Sequence, residues 1–155
     1  MNTAQSSTDI VVESVDIAAP VARVWRALTD HREFGEWFGV VFATPFRPGE
    51  TVHGSLTIAD FAGLPLEITV REMDAPRRFV FSWHPYAVEP DHDYTKEPQT
   101  LIEFTLEPRD TGTRLTVRES GFDALPEARR PTAFRMNTKG WPIQLGNIAR
   151  HVTSG

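Results

Sequence analysis

The C-terminal stretch from Thr132 to Val152 carries apolar side chains at helical spacing. Steps of seven, four, three and four residues place five of them on one stripe, with Thr138 filling the first gap: Phe134, Trp141, Leu145, Ile148 and Val152. A helix of about 20 residues is roughly 30 Å long, which is the width of a small domain. We therefore expect a long terminal helix that lies on one broad apolar surface.

Pro142 falls inside this helical pattern, where it removes a backbone hydrogen-bond donor. It either kinks the helix near Thr138 or begins a second helix. The pattern leaves both alternatives open.

Most of the preceding chain alternates apolar and polar residues, which is typical of half-buried strands. Strands are predicted at residues 10–17, 51–58, 64–71, 79–83 and 100–107, and in a segment ending near Ser120. The short turns between them, such as Asp110-Thr111-Gly112, favour antiparallel pairing, because parallel strands need long crossover connections.

Two short helices are predicted after the first strand. Pro20 suits the first position of a helix, and an apolar stripe follows it at Val21, Val24, Trp25 and Leu28. Thr29-Asp30 ends this helix and can cap a second one from His31 to Trp37, and Gly39 is a stop signal. The whole pattern predicts an α+β domain over residues 10–152, after a disordered N-terminus at 1–9 and before a short tail at 153–155.

Charge and composition exclude several classes of function. The chain of 155 residues has a net charge of −5, whereas nucleic-acid binding normally requires a basic face. It has no cysteine, so disulfides and thiolate chemistry are absent. No signal peptide begins the sequence and no apolar run is long enough to span a membrane. A soluble cytoplasmic protein without membrane insertion is expected.

Five motifs in order carry a resemblance to a known family. They are Ala19-Pro20-x-x-x-Val24-Trp25-x-Ala27-Leu28-Thr29-Asp30 with Trp37-Phe38, Pro76-x-Arg78-Phe79-x-Phe81-x-Trp83, Gly112-Thr113-x-Leu115-x-Val117, Gly121-Phe122, and Gly140-Trp141-x-x-x-Leu145-x-Asn147-Ile148. Over residues 10–152 the chain resembles stand-alone bacterial proteins similar to the C-terminal domain of the heat-shock-chaperone ATPase activator, in the SRPBCC or START-like superfamily. The resemblance implies a helix-grip fold, in which a curved antiparallel sheet of six or seven strands wraps around the C-terminal helix and a cavity.

The resemblance leaves the chemistry open, because relatives in this superfamily include lipid carriers, cyclases, hormone receptors and chaperone partners. Two groups of titratable residues are candidates. His84, Tyr86, Asp91, His92, Asp93 and Tyr94 lie in or beside a proline-broken segment. There a solvated loop is favoured over a metal site, and residues 85–93 are expected to be mobile and to border the cavity entrance. Glu13 and Glu119 fall on inward strand positions, where burial would make them general-acid candidates, although Glu13 can instead reach water at a sheet edge.

The favoured function is the binding of a small hydrophobic molecule, lipid-like or aromatic, in an apolar cavity between the sheet and the C-terminal helix. The predicted ligand-binding residues are Trp37, Phe81, Trp83, His84, Tyr86, Phe104, Trp141, Leu145 and Ile148. No catalytic residue, metal or cofactor is predicted. The alternatives are a protein-interaction module with a chaperone or other protein partner, and a cyclase- or hydrolase-type enzyme that uses an inward acid or histidine.

Overall fold

The computed structural model describes residues 9–85 and 93–154. Its strands and helices follow in the order β1 Ile10–Ile17, α1 Val21–Thr29, α2 His31–Phe38, β2 Val40–Phe42, β3 Thr51–Leu56, β4 Pro65–Asp74, β5 Arg78–Trp83, β6 Thr100–Arg109, β7 Gly112–Ser120 and α3 Arg130–Thr153. Short 3-10 turns lie at Ala59–Phe61 and Phe122–Ala124. The segment predicted to border the cavity falls almost wholly outside the described residues, as does most of the N-terminal stretch 1–9.

The seven strands form one curved antiparallel sheet in the order β1-β7-β6-β5-β4-β3-β2. Neighbours in the sheet are also neighbours along the chain, except that β1 pairs with β7. This confirms the predicted α+β class, the antiparallel pairing and the two short helices after the first strand. Strand β2 has only three residues, which is too short for a periodic pattern to reveal.

Helix α3 is continuous through Pro142, so the alternative of a second helix beginning there is wrong. Ala133, Trp141, Leu145 and Ile148 are its buried residues, and the helix packs mainly on β1, α1 and α2. At 24 residues, α3 is long enough to extend across the domain. No helix in the described ranges is both long and apolar enough to cross a membrane.

Helix α2 is defined at both ends by its sequence. The Asp30 side chain accepts hydrogen bonds from the backbone N–H of Arg32 at 2.9 Å and of Glu33 at 3.3 Å. These bonds satisfy donors that the first turn of a helix leaves free. Gly39 ends the helix with a φ of 99°, which favours glycine. Both predicted signals are confirmed.

Aromatic side chains fill the core between the sheet and the first two helices. Phe34 of α2 lies 4.6 Å from Trp37, 5.8 Å from Phe42 and 6.2 Å from Phe81, measured between ring centroids. On α1 the fully buried residues are Val24, Ala27 and Leu28, while Trp25 is half-buried. This end of the domain is closely packed.

Candidate functional site

A groove of about 470 Å³ lies between α3 and the hairpin formed by β3 and β4. The hairpin, α2 and β5 supply Phe38, Leu56, Ile58, Phe61, Pro65, Leu66, Trp83, His84 and Pro85, and α3 supplies Met136, Asn137, Lys139, Gly140, Trp141, Ile143, Gln144 and Asn147. Most of these residues are apolar, and no aspartate or glutamate among the described residues lines the groove.

Beside its buried face, helix α3 has a second row of residues that faces the groove. Met136, Gly140, Ile143 and Asn147 follow each other at steps of four, three and four residues, as one face of a helix requires. Ile143 is 63% exposed although it is a large apolar residue. A Cβ atom placed on Gly140 would meet nothing within 4 Å, so packing does not require glycine there.

Two tryptophans from different elements meet in the groove. The rings of Trp83, at the end of β5, and Trp141, in the middle of α3, stack with centroids 5.7 Å apart and planes at 19°. Both are nearly buried, at 7% and 2% exposure. Both indole N–H groups donate to one carboxyl group, that of Glu119 in β7, at 2.8 Å from Trp83 and 2.7 Å from Trp141.

Glu119 is fully buried and is held by four side chains, which together with it form the Glu119 cluster. Besides the two indoles, Thr100 Oγ1 lies 2.5 Å from Oε2, and the Asn137 amide nitrogen donates to both carboxyl oxygens at 2.9 and 3.1 Å. Burial raises the pKa of Glu119 above its usual value of 4.5, and the hydrogen bonds offset this only in part.

The geometry of the Glu119 cluster accommodates a protonated acid. Indole N–H and amide NH₂ groups can only donate, so a proton on Glu119 needs another acceptor. The hydroxyl of Thr100 is the cluster member that accepts as well as donates. Thr100 donates to Oε2 when Glu119 is ionised; when Glu119 carries a proton, this bond reverses and Oε1 still accepts from Trp141 and Asn137.

The structure separates the predicted ligand-binding residues into two sets. Trp83, His84 and Trp141 line the groove. The remaining described members lie in the packed core and do not line it: Trp37, Phe81, Phe104, Leu145 and Ile148. Trp37, for example, donates its indole N–H to the Ala27 carbonyl at 2.8 Å. Tyr86 lies outside the described residues.

The other titratable candidates are placed differently from Glu119. Glu13 is inward but half-buried, opposite Val117 on β7. Burial lowers the pKa of His84, whose Nδ1 is buried and has no hydrogen-bond partner among the described residues. Within residues 9–85 and 93–154, no group of three His, Asp or Glu side chains is placed to hold a metal ion.

Several groove residues are not evident from the sequence. Asn137 is the most informative, because it lies four residues before Trp141 and occupies the gap in the buried stripe that Thr138 is predicted to fill. The sequence signal that could have identified Asn137 is an inward-facing glutamate on β7 together with an amide side chain on the buried face of α3. The contribution of Leu56, Ile58, Phe61 and Leu66 depends on how the β3–β4 hairpin is oriented, for which the sequence holds no local signal.

Solved structures with the same fold include several bacterial proteins. A protein from Arthrobacter aurescens has 18% identity and a TM-score of 0.79, covering 97% of this chain and 91% of its own. One from Mesorhizobium loti has 23% identity and a TM-score of 0.71, covering 92% and 95%. DynU16, a protein of the dynemicin biosynthetic locus, has 24% identity and a TM-score of 0.70 over 95% of this chain, which spans about half (48%) of DynU16.

Among curated proteins, none matches this chain. The sequence profile of the family described as "Activator of Hsp90 ATPase homolog 1-like protein" matches residues 18–153. The match covers α1 through the end of α3 and agrees with the resemblance carried by the five sequence motifs. The chain therefore belongs to the family of activator of Hsp90 ATPase homolog 1-like proteins.

Proposed function

We propose that this protein binds a small, largely apolar or aromatic molecule in the groove between α3 and the β3–β4 hairpin. The groove volume of about 470 Å³ falls within the range of small-molecule sites, and its lining is mainly apolar with a few polar groups. Apolar surface that faces an open groove gains free energy when a ligand removes it from water.

The observation that carries the proposal is Gly140. Glycine inside a helix costs about 1 kcal/mol relative to alanine. Here neither a positive φ nor a close neighbour requires it, since space is open around the missing Cβ. A glycine at this point keeps the α3 side of the groove free for a ligand.

The stacked pair Trp83 and Trp141 supports an aromatic or otherwise flat ligand. Their orientation is fixed by the hydrogen bonds to Glu119, so the surface is formed before a ligand binds. Glu119 itself is fully buried and does not line the groove, which favours a supporting role over proton transfer to a ligand. DynU16, which shares the fold, is a protein of the dynemicin biosynthetic locus.

The test is a fluorescence titration with N-phenyl-1-naphthylamine, a neutral aromatic probe whose emission rises in apolar surroundings. Three proteins are compared: the wild type, Gly140→Met and Gly146→Met. The methionine side chain at position 140 should enter the groove and weaken binding of the probe about tenfold or more. A tenfold loss corresponds to about 60 Å² of apolar contact between probe and protein.

Gly146→Met is the matched control, because Gly146 lies on the same helix and does not line the groove. A Cβ atom at this position would lie 3.4 Å from its nearest neighbour, the flexible end of Arg150. This variant should bind the probe as the wild type does. Failure of the wild type to bind, or equal binding by Gly140→Met, would contradict the proposal and favour a protein-interaction module.

A further inference from the structure

Three side-chain amides line the groove, and two of them have both ends engaged. Gln144 donates to the Phe38 carbonyl at 3.0 Å, and its own oxygen accepts from Asn147 at 3.1 Å. The oxygen of Asn147 in turn accepts from Arg150 at 2.5 Å. Two of these bonds run along α3 and one reaches the end of α2, and neither carbonyl oxygen is left without a donor.

Asn137 is different. Its amide nitrogen donates to both oxygens of Glu119, while its carbonyl oxygen has no hydrogen-bond partner within residues 9–85 and 93–154. That oxygen is not among the buried polar atoms that lack a partner, so it is open to the groove that Asn137 lines. Among the side-chain amides of the described groove, its oxygen is the one that accepts no hydrogen bond.

Glu119 fixes this orientation of the amide. Turning the Asn137 amide over would place its carbonyl oxygen against the carboxyl oxygens, at distances where two acceptors repel each other. The observed orientation gives two hydrogen bonds from the amide nitrogen to the carboxyl group, whereas the turned amide could accept at most one, from a protonated Glu119. The carboxyl group therefore directs the acceptor of Asn137 toward the groove.

We propose that Asn137 is the polar anchor of the groove, accepting a hydrogen bond from a hydroxyl group on an otherwise apolar aromatic ligand, with Glu119 as its positioning residue. This rests on the proposed function and narrows its ligand class. A ligand carboxylate at this point would face a carbonyl oxygen with Glu119 behind it, and an ammonium group would lose its hydration in an apolar site. A neutral hydroxyl group on the ligand avoids both the repulsion from the carbonyl oxygen and the loss of hydration of a charged group.

The experiment compares two ligands of the same body by isothermal titration calorimetry. 2-Naphthol carries a hydroxyl donor, and 2-methoxynaphthalene has an oxygen at the same place without a hydrogen. The wild type should prefer 2-naphthol about fivefold, as one neutral hydrogen bond provides. In Asn137→Leu, a variant of similar size, the preference should vanish.

Asn147→Leu is the matched control, because Asn147 lines the same groove but its oxygen is already used by Arg150. It should retain the fivefold preference. Glu119→Gln should reduce the preference toward one while the variant still unfolds cooperatively in urea, which a general loss of structure would not allow. If Asn137→Leu does not fold, the double variant with Glu119→Gln removes the buried acid together with its donor and provides the same comparison.

The outcomes separate the two proposals. Equal affinity of the wild type for both naphthalenes, or a preference that persists in Asn137→Leu, overturns the anchor while the groove remains a binding site. If neither naphthalene nor N-phenyl-1-naphthylamine binds the wild type, the proposed function fails, and the anchor with it.

Discussion

At the scale of single residues, Glu119 joins three parts of the fold. Its carboxyl group, on β7, receives Trp83 from β5, Thr100 from β6, and Asn137 and Trp141 from α3. A buried carboxyl group is costly unless its oxygens are hydrogen-bonded, and here each oxygen has at least two partners. The cluster thus fixes α3 on the sheet at a defined rotation and holds three groove side chains in place, Trp83, Asn137 and Trp141.

The raised pKa of Glu119 predicts a pH-dependent stability. Above about pH 4.5 the unfolded chain has lost this proton while the folded protein still binds it, so unfolding releases a proton. The free energy of unfolding of the wild type should therefore fall, relative to Glu119→Gln, as pH rises from 4.5 to the raised folded value. Urea denaturation of both proteins between about pH 5 and pH 8 measures the difference. A difference that is constant with pH would show that Glu119 is ionised in the folded state throughout.

At the scale of elements, two helical glycines should respond to alanine with opposite signs. A Cβ on Gly35 of α2 would lie 2.1 Å from the carbonyl oxygen of Val40, so Gly35→Ala must move α2 away from β2. We expect a loss of about 2 kcal/mol or more, the upper range for overpacking. Gly140→Ala meets nothing and should gain up to about 1 kcal/mol from helix propensity. Urea midpoints measure both changes, and a stabilised Gly35→Ala would mean that α2 is not packed so closely on β2.

Glu33 links the three helices to one another. Its carboxylate accepts from Arg23 at 2.7 Å, from Arg26 at 2.9 Å and contacts His151 near the end of α3 at 2.9 Å. Burial acts to raise the pKa of Glu33, but the hydrogen bonds from His151, Arg23 and Arg26 outweigh it and hold the pKa below 4.5.

Glu33→Gln should cost about 1–2 kcal/mol near neutral pH, because three partners lose a charged acceptor, and one of its two oxygens becomes a donor, at a partly exposed site. The lowered pKa means that this contribution is complete above pH 4.5 and is lost as pH falls below it. Arg26→Gln is the control, since that side chain is 62% exposed and should cost less than about 0.5 kcal/mol. Urea denaturation measures the loss of unfolding free energy in each variant. Equal losses would mean that Glu33 contributes no more than an exposed ion pair does.

Most elements could be predicted from periodicity, but the exact faces of the helices could not. On α1 the predicted stripe includes Val24 and Leu28, which are fully buried, but it misses the fully buried Ala27, which is too small to stand out in a hydrophobicity pattern. On α3 the gap in the stripe is filled by Asn137, a polar residue that is buried on one side because Glu119 satisfies it. Tertiary hydrogen bonds of this kind are invisible to local pattern.

At the scale of the whole molecule, the groove follows from where α3 lies on the sheet. The helix packs mainly against β1, α1 and α2, while β3 and β4 lie toward the other edge of the sheet. The tryptophans of the site could be predicted, because both fall on inward-facing positions. The opposite wall of the groove, on the β3–β4 hairpin, could not be predicted, because it depends on the strand order and on the orientation of the hairpin. The five predicted residues that lie in the core pack among other buried side chains instead.

A ligand in this groove should connect α3 to the β3–β4 hairpin. The hairpin end is held by its own backbone bonds, from Leu56 N–H to the Leu64 carbonyl and from Gly63 N–H to the Leu56 carbonyl, both 2.8 Å. We expect such a segment to open locally, without unfolding of the sheet. At about 100 times its Kd, a ligand that binds the closed form alone adds about 2.7 kcal/mol to the cost of opening.

Hydrogen exchange with mass spectrometry tests this linkage with N-phenyl-1-naphthylamine as the ligand. Exchange at residues 56–66 should slow by up to about 100-fold at saturation, because the bound probe contacts Leu56, Ile58, Phe61 and Leu66. Amides at the opposite end of the β1–β7 pair from Glu119, residues 14–17 and 113–116, should exchange at an unchanged rate, because none of them lines the groove. In Gly140→Met the same probe should leave the hairpin unprotected, whereas Gly146→Met should follow the wild type. Protection spread evenly over the sheet, or confined to α3, would mean that the ligand does not span the groove.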